Sequence, residues 1–410
     1  MKPRTLIALS LTLFAALALF AFSVILPARG NTFDFYPRYV GAQAVWRGIS
    51  PYSEEVTTQI QIGMFGDVLP DEADQQRFAY PAYTAVLIAP FIVFSADIST
   101  ALWMALQVVA LAWALWLWIE ILNWNLPPIQ RCALIAAVVV AFRYPITLYL
   151  IAQFTGVIIL CITLGVYFLQ KQCDVFAGIF FAFATIQPTI SAPLAGALLI
   201  GYALRGRWKG LVAFVVALGI LTAITVIQIG WWMPDFLVNL RDYARYATYY
   251  LWTPDLFESP VLKIAFVALL LFVLVWTLWR FLRRSHPVEA RERTIPFLFT
   301  LVCTFLLLLP QTGTYYLVLL FPLLLTSLQN AAQLKGMTKG LALLGFASGL
   351  LIPWFYLIQP EETRKIEALL LPLHIWLVWV GTAWLVRESK KNSTSVEVNS
   401  RAPLQSDVQM

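Results

Sequence analysis

An acidic residue stands at the edge of the first long apolar segment of this chain. Asp34 lies among Phe33, Phe35 and Tyr36 in the stretch NTFDFYPRYVGAQAVWRGISPYSEE, residues 31–55. A carboxylate in such apolar company either stabilises local backbone structure or accepts a proton in a reaction. The role of Asp34 depends on the secondary-structure elements that position it.

A helix is predicted directly after Asp34. Phe35, Tyr39, Ala42 and Trp46 recur at the spacing of one helical stripe, and the GISPY turn then ends the pattern. A short aromatic helix that follows a transmembrane segment is expected to lie in the membrane interface. Asp34 would stand at its N-terminal end, where Asp is a favoured cap, and capping and a chemical role are compatible.

Composition defines the class of protein. Of the 410 residues, 60% are hydrophobic and 12% are charged, and a soluble domain of this length cannot cover so much apolar surface. We therefore predict an all-α polytopic membrane protein with membrane lipids as partners. The net charge of +6 forms no basic patch interleaved with aromatic residues, so no nucleic acid partner is expected.

The motifs of metal and nucleotide sites are missing from the sequence. It contains no Asp-x-Asp pair, no His cluster and no Gly-rich phosphate loop, and its four cysteines lack metal or disulfide spacing. We predict no metal, no cofactor and no nucleotide-sugar donor.

Twelve membrane spans are predicted from apolar length and from the positions of Lys and Arg. The basic N-terminus and the first apolar run are interpreted as a retained first span, with a cleaved signal peptide as the alternative. The predicted spans are 6–26, 100–122, 132–150, 155–169, 175–186, 189–204, 211–229, 261–281, 295–309, 315–328, 341–357 and 368–386. They place both termini and the basic clusters in the cytoplasm of a multi-pass cell-membrane protein.

The topology also predicts the domain organisation. Residues 1–387 form one transmembrane domain, the first outer loop covers residues 27–99 and carries juxtamembrane helices, and residues 388–410 form a disordered cytoplasmic tail. The apolar run 80–95 carries two prolines and is too short to span. We expect it to stay on the outer face, where protein must bury it or a cavity must solvate it.

Residues of the first outer loop resemble the opening signature of glycosyltransferase family 87, the polyprenol-phosphate-mannose-dependent mannosyltransferases. The matching positions are Asp34, Tyr39, Gly48, Pro51, Tyr52, Phe78, Tyr80 and Pro81, with Ala82 where a second proline is usual. The resemblance in hydrophobic pattern continues to about Pro322.

The resemblance implies a glycosyltransferase of the GT-C fold with its active site on the extracytoplasmic face. It implies that Asp34 is the general base, that the donor is a polyprenyl-phosphate sugar carrying a mannose-like hexose, and that the acceptor is a glycan or glycolipid. A polyprenyl phosphate leaves without protonation, so one carboxylate suffices to deprotonate the attacking hydroxyl. Such a displacement inverts the anomeric centre.

Three family elements are altered in this chain. The segment AQFTG keeps Gln153 but lacks a glycine and an asparagine, Gln187 replaces a lysine before Pro188, and LPQTGTYY, residues 309–316, lacks a histidine. The expected substrate-binding residues are Arg143, Gln153, Gln187, Tyr52, Tyr80, Tyr315 and Tyr316.

Arg143 is the predicted cation for the donor phosphate, because it lies in an otherwise uncharged apolar segment. The alternative is that it reaches lipid headgroups from a helix end. Arg38 and Arg77 are weaker candidates, since loop arginines are usually solvated. His374 is expected to be a packing residue. Aromatic residues of segment 231–252 are expected to form an interfacial belt, and a sugar-stacking role is the alternative.

The sequence is also compatible with two other functions. A transporter or flippase of a lipid-linked saccharide is one alternative, although the chain shows no repeated halves and concentrates its unusual polar residues near one face. A catalytically inactive family member is the other, because of the three altered elements.

Overall fold

The computed structural model describes residues 3–70, 73–246, 256–283, 287–308 and 314–400. Within these ranges all regular structure is helical, and no strand is present. The all-α prediction is confirmed.

The chain begins with one long apolar helix. Helix α1, Pro3–Phe20, continues through a π-helical turn, Ala21–Ile25, into α2, Leu26–Arg29. Gly30, with φ of +60°, ends it because a left-handed residue stops the helical hydrogen-bond ladder. Its segment Arg4–Arg29, of 26 residues, is long enough to cross a membrane, as the sequence predicts for the first span.

Three short helices fill the first predicted outer loop: α3, Phe35–Trp46, α4, Glu54–Phe65, and α5, Thr84–Ile88. Helix α3 matches the predicted helix, and its position in the membrane interface stays a prediction. Residues on every side of α3 are buried, among them Phe35, Arg38, Val40 and Val45, because neighbouring helices of the same chain cover it.

The remaining helices begin with the central α6, Ala96–Ile121, which packs against α1, α3, α8 and α9. They continue as α7, Pro128–Ala141, α8, Arg143–Leu150, α9, Thr155–Gln170, α10, Asp174–Ala184, α11, Pro188–Leu204, and α12, Lys209–Ile229. Then follow α13, Met233–Tyr246, α14, Pro260–Leu282, α15, Pro287–Leu308, a 3₁₀ helix, Thr314–Leu320, α16, Phe321–Gln333, α17, Gly336–Leu357, and α18, Glu361–Ser400.

Seven helices in the described ranges are long and apolar enough to cross a membrane, and the bent pair α7 and α8 makes an eighth candidate. Helices α9, α10 and α11 and the segment Thr294–Leu308 are apolar but shorter. At about 1.5 Å per residue, the 11 residues of α10 are too short for the roughly 30 Å hydrocarbon core. These findings support a membrane protein, while the predicted number of twelve spans stays a prediction.

Two predicted segments differ locally from expectation. The predicted third span is broken at Phe142, where α7 and α8 meet at 69°. The predicted disordered tail is helical up to Ser400, because α18 continues into it, and residues 401–410 lie outside the described ranges. Segment 80–95 forms α5 and turns, and its placement on the outer face stays a prediction.

Close packing of α9 against α6 fixes the segment that precedes α9. A Cβ at Gly156 would lie 2.6 Å from the carbonyl oxygen of Gln107 on α6, so only glycine allows this approach. The Gln107 side chain accepts a hydrogen bond from the Val157 N–H at 3.2 Å. The start of α9 is thereby held against the central helix.

A buried ion pair joins the bend between α7 and α8 to the C-terminal helices. Arg143 donates to the Glu367 carboxylate at 3.2 Å, to the Pro353 carbonyl at 2.7 Å and to Thr314 Oγ1 at 3.1 Å. Tyr144 donates to the same carboxylate at 2.6 Å. Both charged side chains are almost fully buried, so each depends on the other for charge compensation.

Glu367→Gln is expected to destabilise the protein, because it leaves the guanidinium of Arg143 buried without a countercharge. Breaking a buried pair typically costs about 3–5 kcal/mol. Glu54→Gln is the matched control, since the Glu54 side chain is 79% exposed in its pair with Arg77 and exposed pairs contribute about 1 kcal/mol or less. Thermal unfolding in detergent should rank Glu367→Gln far below wild type and Glu54→Gln close to it. Equal unfolding temperatures for the two variants would contradict this account.

Candidate active site

A cavity of about 300 Å³ opens where the first loop meets the segments before α9 and α11. Its lining combines charged, amide, phenol and apolar side chains. The lining residues are Asp34, Pro37, Arg38, Asp74, Gln76, Arg77, Ala79, Tyr80, Gln153, Gln187, Pro188, Thr189, Phe236, Leu240, Tyr315 and Tyr316.

Asp34 immediately precedes α3, but its side chain does not cap that helix. Its backbone has φ of −59° and ψ of −19°, which is helical, and its carboxylate accepts no hydrogen bond from the first turn. The carboxylate instead accepts a hydrogen bond from the amide of Gln153, and the Asp34 N–H donates to the Ile151 carbonyl at 3.1 Å. The capping alternative therefore does not describe this side chain, which faces the cavity.

Gln153 connects the polar groups of the cavity. Its Nε2 donates to Asp34 and, at 3.2 Å, to the hydroxyl of Tyr315, while its Oε1 accepts from Arg38 at 3.3 Å. The residue before it, Ala152, has φ of +55°, a left-handed conformation that costs a non-glycine residue about 1–2 kcal/mol. The glycine usual in the family at this position would adopt this turn without that cost.

Arg38 is the buried cation of the cavity, although the sequence favoured Arg143. Only 7% of Arg38 is exposed, and its guanidinium lies over the rings of Tyr80 and Phe154, at 4.5 and 5.1 Å from their centroids. It also donates to the Tyr80 hydroxyl. The signal in the sequence was its position four residues after Asp34, since residues i and i+4 of a helix lie side by side.

Arg143 lies elsewhere, which corrects its predicted place in the cavity. Its guanidinium is engaged with Glu367, Pro353 and Thr314, and it is not among the described residues that line the cavity. Glu367 is 224 positions away in the chain, so local sequence gave no hint of the pairing. Through Thr314, Arg143 holds the chain just before Tyr315 rather than facing a ligand.

Two predicted tyrosines of the first loop have different positions. Tyr80 lines the cavity beside Arg38, whereas Tyr52 lies behind the wall and is not among the described lining residues. The Tyr52 hydroxyl donates to the Tyr80 carbonyl at 2.7 Å, and its ring packs against Phe78 and Trp232. Tyr52 therefore supports the backbone of Tyr80 from outside.

Gln187 and Tyr316 form another part of the wall. Gln187 Nε2 donates to the Tyr316 hydroxyl at 3.1 Å, and its Oε1 accepts from Thr155 Oγ1 at 3.3 Å. The ring of Tyr316 lies 4.4 Å from that of Tyr315, measured between centroids. Residues 309–313 of the LPQTGTYY segment lie outside the described ranges.

Helices α3, α9 and α11 all begin at this cavity. Asp34, Gln153 and Gln187 lie at or within two residues of these three N-termini. A helix N-terminus carries a partial positive charge and unpaired N–H groups, so it favours anions. Together with Arg38, the three ends make the cavity suitable for a phosphate.

The remaining wall comes from residues 73–77 and from α13. Arg77 was expected to be solvated, but it lines the cavity and pairs with Glu54 at 3.4 Å. In segment 231–252, Phe236 and Leu240 line the cavity, while the side chain of Tyr243 and all of Tyr250 lie outside the described residues.

His374 has a packing role, as the sequence indicated. Its Nε2 lies 2.9 Å from Ser348 Oγ and 3.3 Å from the Gly345 carbonyl oxygen on the neighbouring α17.

Burial changes the proton affinity of two groups in the cavity. Burial raises the pKa of the Asp34 carboxyl above its ordinary value, although the Arg38 guanidinium and the Gln153 amide act in the opposite direction. Burial also raises the pKa of Tyr80, so this phenol stays protonated at neutral pH. The cavity thus combines a carboxylate of increased basicity, a cation and neutral hydrogen-bonding groups.

Comparisons with known proteins identify the family of this chain. The chain is 26% identical over 379 residues to an "Alpha-(1->3)-arabinofuranosyltransferase" of Mycobacterium tuberculosis, in strains CDC 1551 and H37Rv, and the match covers 86% of this chain and 79% of the relative. The model of glycosyltransferase family 87 matches residues 78–289, just over half of the chain. The resemblance found in the sequence is confirmed at the level of the family. This chain belongs to glycosyltransferase family 87 and is by family a membrane glycosyltransferase.

Proposed function

We propose that the enzyme transfers one sugar from a polyprenyl-phosphate donor to a hydroxyl of a glycan or glycolipid, with Asp34 as general base. The observation that carries this proposal is the position of the Asp34 carboxylate in a cavity shared with Arg38 and three helix N-termini. A base and an anion site within one cavity meet the two needs of a displacement at a sugar phosphate.

In this proposal the donor phosphate binds next to Arg38. This guanidinium lies against the cavity, and its Nε is buried without a hydrogen-bond partner in the described part of the chain. Gln187 and the hydroxyls of Tyr80, Tyr315 and Tyr316 add neutral groups for the phosphate or the sugar. Such preorganised donors stabilise the negative charge that grows on the leaving group.

The reaction balances without a metal or a cofactor. The acceptor oxygen attacks the anomeric carbon, the bond from that carbon to the phosphate oxygen breaks, and its electron pair leaves with the polyprenyl phosphate. The acceptor proton passes to Asp34. A single displacement of this kind inverts the anomeric configuration.

The sugar is proposed from the comparisons. The sequence predicted a mannose-like hexose, whereas the relative's name describes transfer of arabinofuranose. We propose arabinofuranose as the first donor sugar to test and mannose as the second. The active site is proposed to face away from the cytoplasm, with both chain termini on the cytoplasmic side.

Parallel assays separate this proposal from a lipid-linked saccharide flippase and from an inactive relative. Purified protein in liposomes would receive polyprenyl-phosphate arabinofuranose or polyprenyl-phosphate mannose and a synthetic octyl oligosaccharide of the same sugar. Elongation of the acceptor supports the transferase. Movement of donor between leaflets without elongation supports a flippase, and neither activity supports the inactive relative.

Asp34→Asn is expected to lower transfer by at least about 100-fold, because a general base contributes about 10²–10⁴-fold in rate. The variant should stay folded, since asparagine has nearly the same size and no helix cap is lost. Asp97→Asn, an exposed substitution of the same kind in the first turn of α6, is the matched control and should transfer at the wild-type rate. A near wild-type rate for Asp34→Asn would remove Asp34 from the mechanism.

Arg38→Gln is expected to lower the rate at saturating donor by about 100-fold or more, as for other charge-stabilising donors. Arg38→Lys should recover part of the rate, because it keeps the charge but loses the planar guanidinium. Arg47→Gln, on an exposed residue just after α3, is the control and should have no effect. Full activity of Arg38→Gln in a folded protein would place the phosphate elsewhere.

The pH profile should report the raised pKa of Asp34. The base works only when ionised, so the rate falls as the pH drops through that pKa, and the acidic limb should lie above the ordinary range of aspartate. Arg38→Gln removes the cation that lowers this pKa and should move the limb to higher pH. A limb that is unchanged in Arg38→Gln would contradict this assignment.

The contribution of Asp34 to protein stability should fall with rising pH, whereas its contribution to the rate should increase with rising pH. Since the folded-state pKa is raised, Asp34 favours the folded state most below its unfolded pKa and loses this contribution as the pH rises through the folded pKa.

A further inference from the structure

We infer that residues 73–77 form the acceptor-saccharide subsite of the cavity, with Asp74 as the group that binds sugar hydroxyls. The inference rests on the proposed function and extends it to the second substrate. The observation behind it is that Asp74, Gln76 and Arg77 line the same cavity as Asp34 while remaining partly exposed. This wall is therefore open to a water-borne glycan, whereas Arg38 lies buried.

Two buried glutamines hold residues 73–75 against α4 and against the chain at residues 69–70. Gln61 on α4 donates from Nε2 to the Gln75 carbonyl at 3.1 Å and to Gln75 Oε1 at 2.9 Å, and its Oε1 accepts from the Leu69 N–H at 3.1 Å. Gln75 donates in turn to the carbonyl oxygens of Pro70 and Ala73 at 2.6 and 3.0 Å. Buried, satisfied amides of this kind rigidify the backbone that they bridge.

The backbone next to Asp74 is strained. Gln76 has φ of +52°, and its N–H donates to Asp74 Oδ1 at 3.0 Å. A left-handed conformation is unfavourable for a non-glycine residue, and such strain persists where the surrounding structure fixes it, frequently at ligand sites. The tight turn at Gln76 lets Asp74 and Arg77 line the same cavity.

The chemistry of this wall suits a saccharide. A carboxylate accepts hydrogen bonds from adjacent sugar hydroxyls, and the buried Nε of Arg77 has no partner within the described ranges. Phe236 and Leu240 on α13 line the same cavity and supply an apolar surface for the C–H face of a sugar ring. Pockets with an apolar surface and a few convergent polar groups are typical of small-ligand sites.

The test compares Asp74→Asn with Asp67→Asn, which makes the same change at an exposed position of the same loop outside the cavity lining. Steady-state transfer would be measured with the polyprenyl-phosphate donor fixed at saturation and the synthetic octyl oligosaccharide varied. Hydrogen bonds to a charged group contribute about 1.5–3 kcal/mol, so Asp74→Asn should raise the acceptor KM by about tenfold or more. The kcat at saturating acceptor, the donor KM and the hydrolysis of donor by water should stay near wild type, and Asp67→Asn should change none of these.

Gln75→Ala tests the role of the loop itself. Gln75 is a positioning residue, so Gln75→Ala should also raise the acceptor KM. The double variant Asp74→Asn/Gln75→Ala should raise it by less than the product of the two single effects. Thermal unfolding would reveal whether Gln75→Ala has lost its fold, and the Asp74→Asn result stands without it.

The outcomes separate this inference from the proposed function. An unchanged acceptor KM in Asp74→Asn, or a fall in kcat alone, would overturn the acceptor subsite while leaving Asp34 as the base. A full rate in Asp34→Asn would overturn the proposed base while the acceptor KM still reports on Asp74. If neither donor supports turnover, the octyl oligosaccharide should still raise the unfolding temperature of wild type and not of Asp74→Asn, and no effect on either protein would overturn the subsite.

Discussion

The side-chain amide of Gln153 is the interaction on which the cavity depends. One carboxamide donates to Asp34 and Tyr315 and accepts from Arg38, so it connects an acid and a cation at the start of α3 with a phenol almost 300 positions later in the chain. Its own position depends on the left-handed turn at Ala152 and on the close approach of α9 to α6 at Gly156. A small displacement of α9 would therefore disturb the hydrogen bonds that join Asp34, Arg38 and Tyr315.

Electrostatics explain how a base and an anion site share one cavity. Burial favours the protonated form of Asp34, while Arg38 and the hydrogen bond from Gln153 favour the ionised form. The N-termini of α3, α9 and α11 add positive potential that acts on a phosphate as well as on the carboxylate. The opposing effects leave a carboxylate that is more basic than a solvated aspartate yet still stabilised as an anion.

Two buried arginines serve different purposes in this fold. Arg143 has a full countercharge in Glu367 and joins the bend before α8 to α17, α18 and the 3₁₀ helix. Its charge therefore has a structural role. Arg38 is bound by neutral groups and aromatic rings, and the proposed base Asp34 is the acid that acts on it within the described part of the cavity. A cation compensated by neutral groups retains attraction for an added anion, whereas a fully paired cation does not.

The sequence by itself determined the membrane class, the helix after Asp34 and the resemblance to the family, because apolar length, helical spacing and the first-loop signature are local properties. It also singled out Gln153, Gln187, Tyr80, Tyr315 and Tyr316, which the fold brings to one cavity with Asp34. Only the tertiary structure decided that Arg38 is buried beside Asp34, that Arg143 pairs with Glu367, that Tyr52 lies behind the wall and that Asp74 lines the cavity. The physical reason is that burial and charge pairing depend on contacts between residues far apart in the chain, about which local spacing carries no information.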